Sequence, residues 1–151
     1  MAQNPYILVV EDDHLQEGPL VDQINDAFPN GRVESIYTEH EFREQLRELH
    51  RETPDLVIMD VMLRWADPRP GNTEPPEEVT REGFYRAGLR CAELIAADDK
   101  LRAVPVILYT ILEKDDLERQ GKPLPANVTY VRKSTDLDVL LRKVQEFAQY
   151  T

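Results

Sequence analysis

Four consecutive apolar residues, Leu56-Val57-Ile58-Met59, stand between Pro54-Asp55 and a second carboxylate, Asp60. The run is short for a helix and carries β-branched Val and Ile, so it reads as a strand buried on both faces. Pro54 keeps a helix from running into it. Two-sided burial belongs to parallel sheets covered by helices on both faces, and this constrains the fold more than any other feature of the chain. Asp60 then sits where the strand leaves the sheet, at the carboxyl edge where open α/β sheets bind ligands. A carboxylate there can act as a nucleophile or a metal ligand, or can simply cap a turn.

Three further strands follow from the same reasoning. Tyr6-Ile7-Leu8-Val9-Val10 runs into Glu11-Asp12-Asp13, Val104-Pro105-Val106-Ile107-Leu108-Tyr109 ends in Thr110, and Val128-Thr129-Tyr130-Val131-Arg132 ends in Lys133. Val33-Glu34-Ser35-Ile36-Tyr37 alternates instead and suits a sheet edge. Between the strands the apolar spacing is helical. Leu20, Val21, Ile24, Ala27 and Phe28 form one stripe, with Gly18-Pro19 placing the regular start at Pro19. Thr38 with Glu41 has the pattern of a capping box before Phe42, Leu46 and Leu49. A helix is expected from about Arg81 to Ala97, with Phe84, Ala87, Gly88, Cys91, Leu94 and Ile95 inward. Cys91 is therefore a core thiol. A short helix within 112–119 is anchored by Leu117 and followed by Gly121, Pro123 and Pro125. Ser134 or Thr135 can cap the last helix, whose stripe is Leu137, Leu140, Leu141, Val144 and Phe147.

Strands and helices alternate five times, which implies an α/β, doubly wound, five-stranded parallel sheet in one domain spanning 1–151. The stretch 64–81 departs from the alternation: it holds Pro68, Pro70, Pro75 and Pro76 and few apolar residues. It reads as a loop inserted after the third strand, a partner-contacting or lid segment outside the core.

Charge narrows the function. Acids outnumber bases 29 to 18, a formal charge of −11, which is the wrong balance for direct nucleic-acid binding. A lone cysteine permits no internal disulfide and suits a reducing compartment. With no apolar stretch of spanning length and no targeting pattern, a cytoplasmic protein without membrane insertion is expected. His40 and His50 have polar neighbours and are expected at the surface rather than as metal ligands.

In a parallel sheet the four strand ends share one edge, which gathers Glu11, Asp12, Asp60, Thr110 and Lys133. Clustered carboxylates repel one another unless a cation sits among them, and oxygen donors favour Mg²⁺. In such a site Asp60 can attack phosphorus in line, while Lys133 and Thr110 hold other phosphoryl oxygens. The product is an aspartyl phosphate.

These segments resemble the receiver domain of two-component response regulators, the CheY-like family, over nearly the whole chain. The resemblance implies a flavodoxin-like sheet of order 2-1-3-4-5. It implies that Asp60 is the phosphoacceptor, that Thr110 and Lys133 hold the phosphoryl group, and that Glu11, Asp12, Asp60 and the Met62 carbonyl bind Mg²⁺. Thr110 and Tyr130 would be the paired switch residues. They would remodel the face made by the short helix after the fourth strand, the fifth strand and the last helix. Partners would be a histidine kinase or phosphotransfer protein and an unidentified downstream protein, with room for a homodimer. The chain would be a stand-alone receiver that catalyses its own phosphorylation and slow dephosphorylation rather than turning over a substrate.

Some features depart from the family pattern. Ser134 replaces the usual proline after Lys133, where the family's bond is normally cis. Gly83 lies 23 residues after Asp60 (83 − 60), where the family's glycine follows sooner. The family positions that flank the hydrolytic water are apolar here, Met62 and Leu112, and Ile111 is bulky beside Thr110. A haloacid-dehalogenase-type phosphatase would need an acid at Met62. A receiver-like scaffold that binds partners without phosphorylation is the alternative.

Overall fold

Alternation within the apolar runs decides which layer each side chain enters. The computed structural model describes residues 4–67, 74–118, 123–134 and 136–149. Its strands are β1 (Tyr6–Val10), β2 (Arg32–Ile36), β3 (Leu56–Met59), β4 (Val106–Thr110) and β5 (Val128–Arg132). All pair in parallel, in the order β2-β1-β3-β4-β5. Ile7, Val9, Leu56, Ile58, Ile107 and Tyr109 enter one layer with Leu20, Ile24, Leu140 and Val144. Their neighbours in sequence, Leu8, Val10, Val57, Met59, Val106 and Leu108, enter the other with Phe42, Leu49, Cys91 and Ile95. Every residue of β3 and β4 is buried, whereas β2 at the edge alternates. The doubly wound sheet expected from the sequence is the one observed.

On the first layer lie α1 (His14–Ala27) and α7 (Asp138–Gln149). Helix α1 starts at His14 and not at Pro19, because the Asp13 side chain accepts the Leu15 N–H and caps the first turn. Pro19 is tolerated one turn later, where it forfeits a single helical bond. At the head of α7, Asp136 and not Ser134 accepts the Asp138 N–H, while the Ser134 hydroxyl bonds the Asp136 backbone. Thr135, the other expected cap, lies outside the described residues.

The opposite layer holds α2 (Glu39–Glu44), α3 (Leu46–Arg51) and α5 (Ala87–Ala97). The stripe of Phe42, Leu46 and Leu49 spans two short helices that meet at Gln45. Thr38 caps α2 by accepting the Glu41 N–H at 3.1 Å, and the Glu41 carboxylate returns to Tyr37 N–H rather than to Thr38. Cys91 is fully buried, and burial pushes its thiol pKa up, which keeps it unreactive.

The largest departure from expectation lies between β3 and α5. No single helix runs from Arg81 to Ala97. Helix α4 (Glu77–Glu82) ends at Gly83, whose φ of 79° is a left-handed conformation that glycine adopts freely. A 3₁₀ turn (Phe84–Arg86) follows and then α5. Phe84 is therefore exposed and stacked on Tyr85, not inward. The stretch 64–81 is also not wholly loop, since Pro75-Pro76 lead into α4 and Val79 is buried. Pro68 and Pro70 lie outside the described residues. The ends of the excursion are closed by Leu63 N–H to the Phe84 carbonyl and Gly88 N–H to the Val61 carbonyl. The short helix after β4 is α6 (Lys114–Leu117), with Leu117 buried as expected; Gly121 beyond it lies outside the described residues.

Candidate functional site at the carboxyl edge of the sheet

The site forms where the strand order reverses, between β1 and β3, the place at which a crevice opens in sheets of this class. Val10 is in register with Met59, so Glu11 and Asp60 leave the sheet side by side. Glu11 N–H bonds the Ile36 carbonyl and Asp60 N–H the Val10 carbonyl, which fixes both main chains. Glu11 and Asp60 are buried and Asp12 is partly buried. Oxygens from these three carboxylates lie within 4.8 Å of one another. Asp13 turns away to cap α1.

Lys133 follows β5 directly, its N–H bonded to the Thr110 carbonyl. Its Nζ lies 5.7 Å from the centroid of the Tyr109 ring and reaches Glu11 Oε1 at 2.5 Å and Asp60 Oδ2 at 2.9 Å. Burial pulls the Lys133 ammonium down, but Asp60 and Glu11 outweigh it and hold the pKa above its ordinary value. The Glu11 pKa is raised as well, but here burial adds to the shift. Its burial and the neighbouring Asp60 push it up to about 7, against the pull of Lys133. The second Asp60 oxygen, Oδ1, accepts the Val61 N–H at 2.7 Å. Hard oxygen donors, two of them buried, are compatible with Mg²⁺ binding.

Two residues of the site were not singled out from the sequence. Gln16, on the first turn of α1, accepts from Lys133 Nζ through Oε1 at 2.6 Å and donates to Asp13. Arg64, four residues after Asp60 (64 − 60), donates its N–H to Asp12 Oδ2 at 3.0 Å. Its guanidinium Nε lies 3.6 Å from the same oxygen. No motif marks either residue; only the chain's return to the strand edge brings them in.

Thr110 ends β4 fully buried, and its Oγ1 accepts the Leu112 N–H at 3.2 Å. The Tyr130 hydroxyl donates to the carbonyl of the same Leu112 at 2.6 Å. Both expected switch residues thus hold one peptide segment. Met62 is half-buried beside Asp60, and Ile111 is exposed. No peptide bond among the described residues is cis, so Lys133–Ser134 is trans. Gly88, not Gly83, is the glycine that meets the acceptor strand: a Cβ on it would lie 2.1 Å from the Asp60 carbonyl oxygen. Neither His40 nor His50 belongs to the acidic cluster; each is partly buried and paired with a carboxylate, Glu44 and Asp98 respectively.

No protein-family model matches the chain, and no curated protein matches it by sequence. Solved structures do match it. The signal receiver domain of a DNA-binding response regulator from Colwellia psychrerythraea is 20% identical, covering 97% of this chain and 99% of that one, with a TM-score of 0.69. The phosphorylated cyanobacterial phytochrome response regulator RcpA is 19% identical, over 97% and 93% of the two chains, with a TM-score of 0.67. TrrA of Thermotoga maritima, in complex with Mg²⁺–BeF, is 22% identical over 95% and 98%, with a TM-score of 0.63. The chain has the fold of the CheY-like response regulator receiver domain. No helix among the described residues is long and apolar enough to cross a membrane.

Proposed function

We propose that the chain is a phosphoacceptor receiver, taking a phosphoryl group onto Asp60 from the phosphohistidine of a histidine kinase or phosphotransfer protein. The observation that carries this reading is the Lys133 ammonium in contact with both Asp60 and Glu11 at the reversal of the strand order. As the bond from phosphorus to Asp60 forms, the donor's phosphorus–nitrogen bond breaks and its imidazole takes up a proton. Lys133 is placed to neutralise a phosphoryl oxygen as a point charge. Thr110 would release the Leu112 N–H to meet another, and Tyr130 would follow because it holds the same residue. That shared segment is a local bistable element through which a charge change reaches the protein surface. Mg²⁺ at Glu11, Asp12 and Asp60, with the Met62 carbonyl as a further donor, would neutralise the incoming phosphoryl charge. Such a role belongs in the cytoplasm beside the kinase, with the signal passed on by protein contact.

Incubation with acetyl phosphate and Mg²⁺ is expected to add one phosphoryl mass, and Asp60→Asn is expected to abolish the gain. Asp12→Ala or excess EDTA should reduce it severely, because a phosphoryl dianion would then meet uncompensated carboxylates. A labelled Asp60→Asn protein, or undiminished labelling in EDTA, contradicts the assignment.

Signal lifetime follows from the rim. A water attacking the aspartyl phosphate in line needs a partner to orient it, and Met62 and Leu112 cannot accept its hydrogen bond as a carboxylate or amide would. The phosphorylated protein is therefore expected to decay slowly. Met62→Asn with Leu112→Glu should speed the decay roughly tenfold by orienting that water. Equal decay of wild type and double variant, followed by mass spectrometry after donor removal, shows that the rim does not set the lifetime.

A further inference from the structure

Two internal cations share the three acids of the site. Lys133 takes Glu11 and Asp60, and Arg64 takes Asp12 through its N–H at 3.0 Å and its guanidinium Nε at 3.6 Å. We propose that Arg64 is a tethered competitor for the divalent cation, occupying Asp12 in the resting protein and so setting the cation concentration at which the site fills. This rests on the metal-binding reading given above.

The placement of Arg64 is built into the fold. Its carbonyl accepts the Glu39 N–H at 3.0 Å, and the next carbonyl, of Trp65, accepts the His40 N–H at 2.8 Å. Both donors are first-turn amides of α2, which need acceptors outside the helix. Glu39 is in turn clamped by Arg90 Nε and Nη2 at 2.9 and 2.7 Å, so the turn that presents Arg64 is anchored to α5. The Trp65 ring packs against His40 and lies within 5.7 Å of the Arg43 guanidinium. The Arg64 main chain is thereby fixed beside Asp12, and its side chain stays half exposed at 52%, free to leave.

The chemistry of the two Arg64 contacts differs. A carboxylate oxygen has two lone pairs, so the backbone N–H can persist when a metal binds the same carboxylate. The guanidinium is a full charge that cannot be shed by deprotonation, and its approach to Oδ2 opposes a second cation there at any ordinary pH. Metal binding must displace it. Because the Arg64 side chain is half exposed and Asp12 retains 21% exposure, solvent screens the contact and the effect is a few-fold shift rather than orders of magnitude.

Calorimetric titration of the unphosphorylated full chain with MgCl₂ at near-physiological ionic strength tests this without reading any reaction. Arg64→Met, which keeps the stem and removes the charge, is expected to bind Mg²⁺ about threefold more tightly than wild type. Arg64→Gln should behave likewise, and serves if Arg64→Met proves poorly folded by circular dichroism. Arg64→Lys should stay near wild type. Arg102→Met, which removes a charge 67% exposed in the loop that enters β4 at the opposite edge of the sheet, should leave affinity unchanged, since exposed charges beyond about 8 Å are largely screened. Wild-type affinity in both neutral variants, or equal tightening in Arg102→Met, overturns the competitor role while leaving the metal site standing. No saturable binding by wild type or by either neutral variant overturns the metal reading and the competitor together.

Discussion

Glu39→Ala is expected to destabilise the protein by about 3–5 kcal/mol, the usual cost of leaving one partner of a buried ion pair uncompensated. Glu39 is fully buried and Arg90 is 7% exposed. The carboxylate takes two bonds from Arg90 and two from Arg43, from Nη2 at 3.0 Å and Nε at 3.3 Å. Arg90 also reaches Glu82 at 3.1 Å and the Gly83 carbonyl at 3.0 Å, which ties α4 to α5. Without Glu39 the guanidinium keeps only its contacts at the α4 end, so the lower part of the range is expected. For a chain of this size about 3 kcal/mol corresponds to a fall in Tm of roughly 6–12 °C. Replacing the pair together, as Glu39→Leu with Arg90→Met, should recover much of the loss, because well-packed apolar residues can match a buried pair. Urea unfolding of the three proteins checks both statements. A loss below about 1 kcal/mol in Glu39→Ala would assign the network to the surface class, where ion pairs are worth little.

Gly88→Ala is expected to disturb both stability and the site. An alanine Cβ would stand 2.1 Å from the Asp60 carbonyl oxygen and 2.6 Å from the Val61 Cα, and both neighbours are backbone. The contact cannot be relieved by a rotamer change; α5 must move away from the end of β3, or β3 must move with its acceptor. Overpacking typically costs about 1–3 kcal/mol. The sign is diagnostic, because alanine in place of glycine within a helix otherwise stabilises by about 1 kcal/mol. The backbone bond from Gly88 N–H to the Val61 carbonyl, 2.8 Å, would be strained in the same event. A lowered Tm together with slowed labelling of Asp60 by acetyl phosphate is the expected pair of results. An unchanged or raised Tm would show that the helix relaxes without touching the strand.

Both variants probe contacts that no local sequence pattern displays. What could be read from the chain alone was set by periodicity and by strand ends. Buried runs such as Leu56–Met59 leave little freedom: four apolar residues after a proline must be covered on both faces, and the chain that follows must supply the helices. The order 2-1-3-4-5 was what the family resemblance implied, but the five-stranded parallel sheet and its common edge came from periodicity. That edge placed Glu11, Asp12, Asp60 and Lys133 together before any coordinate was known, because the last residue of a parallel strand has only one edge to occupy. Asp13, in the same acidic run, was separable only in principle: a cap and a ligand have the same side chain, and the turn into α1 decides between them.

The region between β3 and α5 behaved otherwise. Phe84, Cys91 and Ile95 have helical spacing, so the sequence pattern continues smoothly through Gly83. The left-handed turn at Gly83 breaks the helix and puts Phe84 outside, and nothing in the spacing reports a backbone angle. Gly88 likewise looks like any helical glycine until α5 is laid against the Asp60 carbonyl. The charged residues are the hardest to read. Glu39 sits in a polar stretch that suits a solvated surface, Arg90 and Arg64 each stand alone among apolar residues, and an ion pair 51 residues apart in sequence leaves no periodic trace. Local sequence dictates apolar burial because burial is non-directional and additive along an element. Partner choice among charges depends on distance and desolvation, which exist only once the layers are packed. The strand edge and its acids were therefore determined by the sequence, whereas the clamp on α2 and the arginine at Asp12 were decided by the tertiary structure.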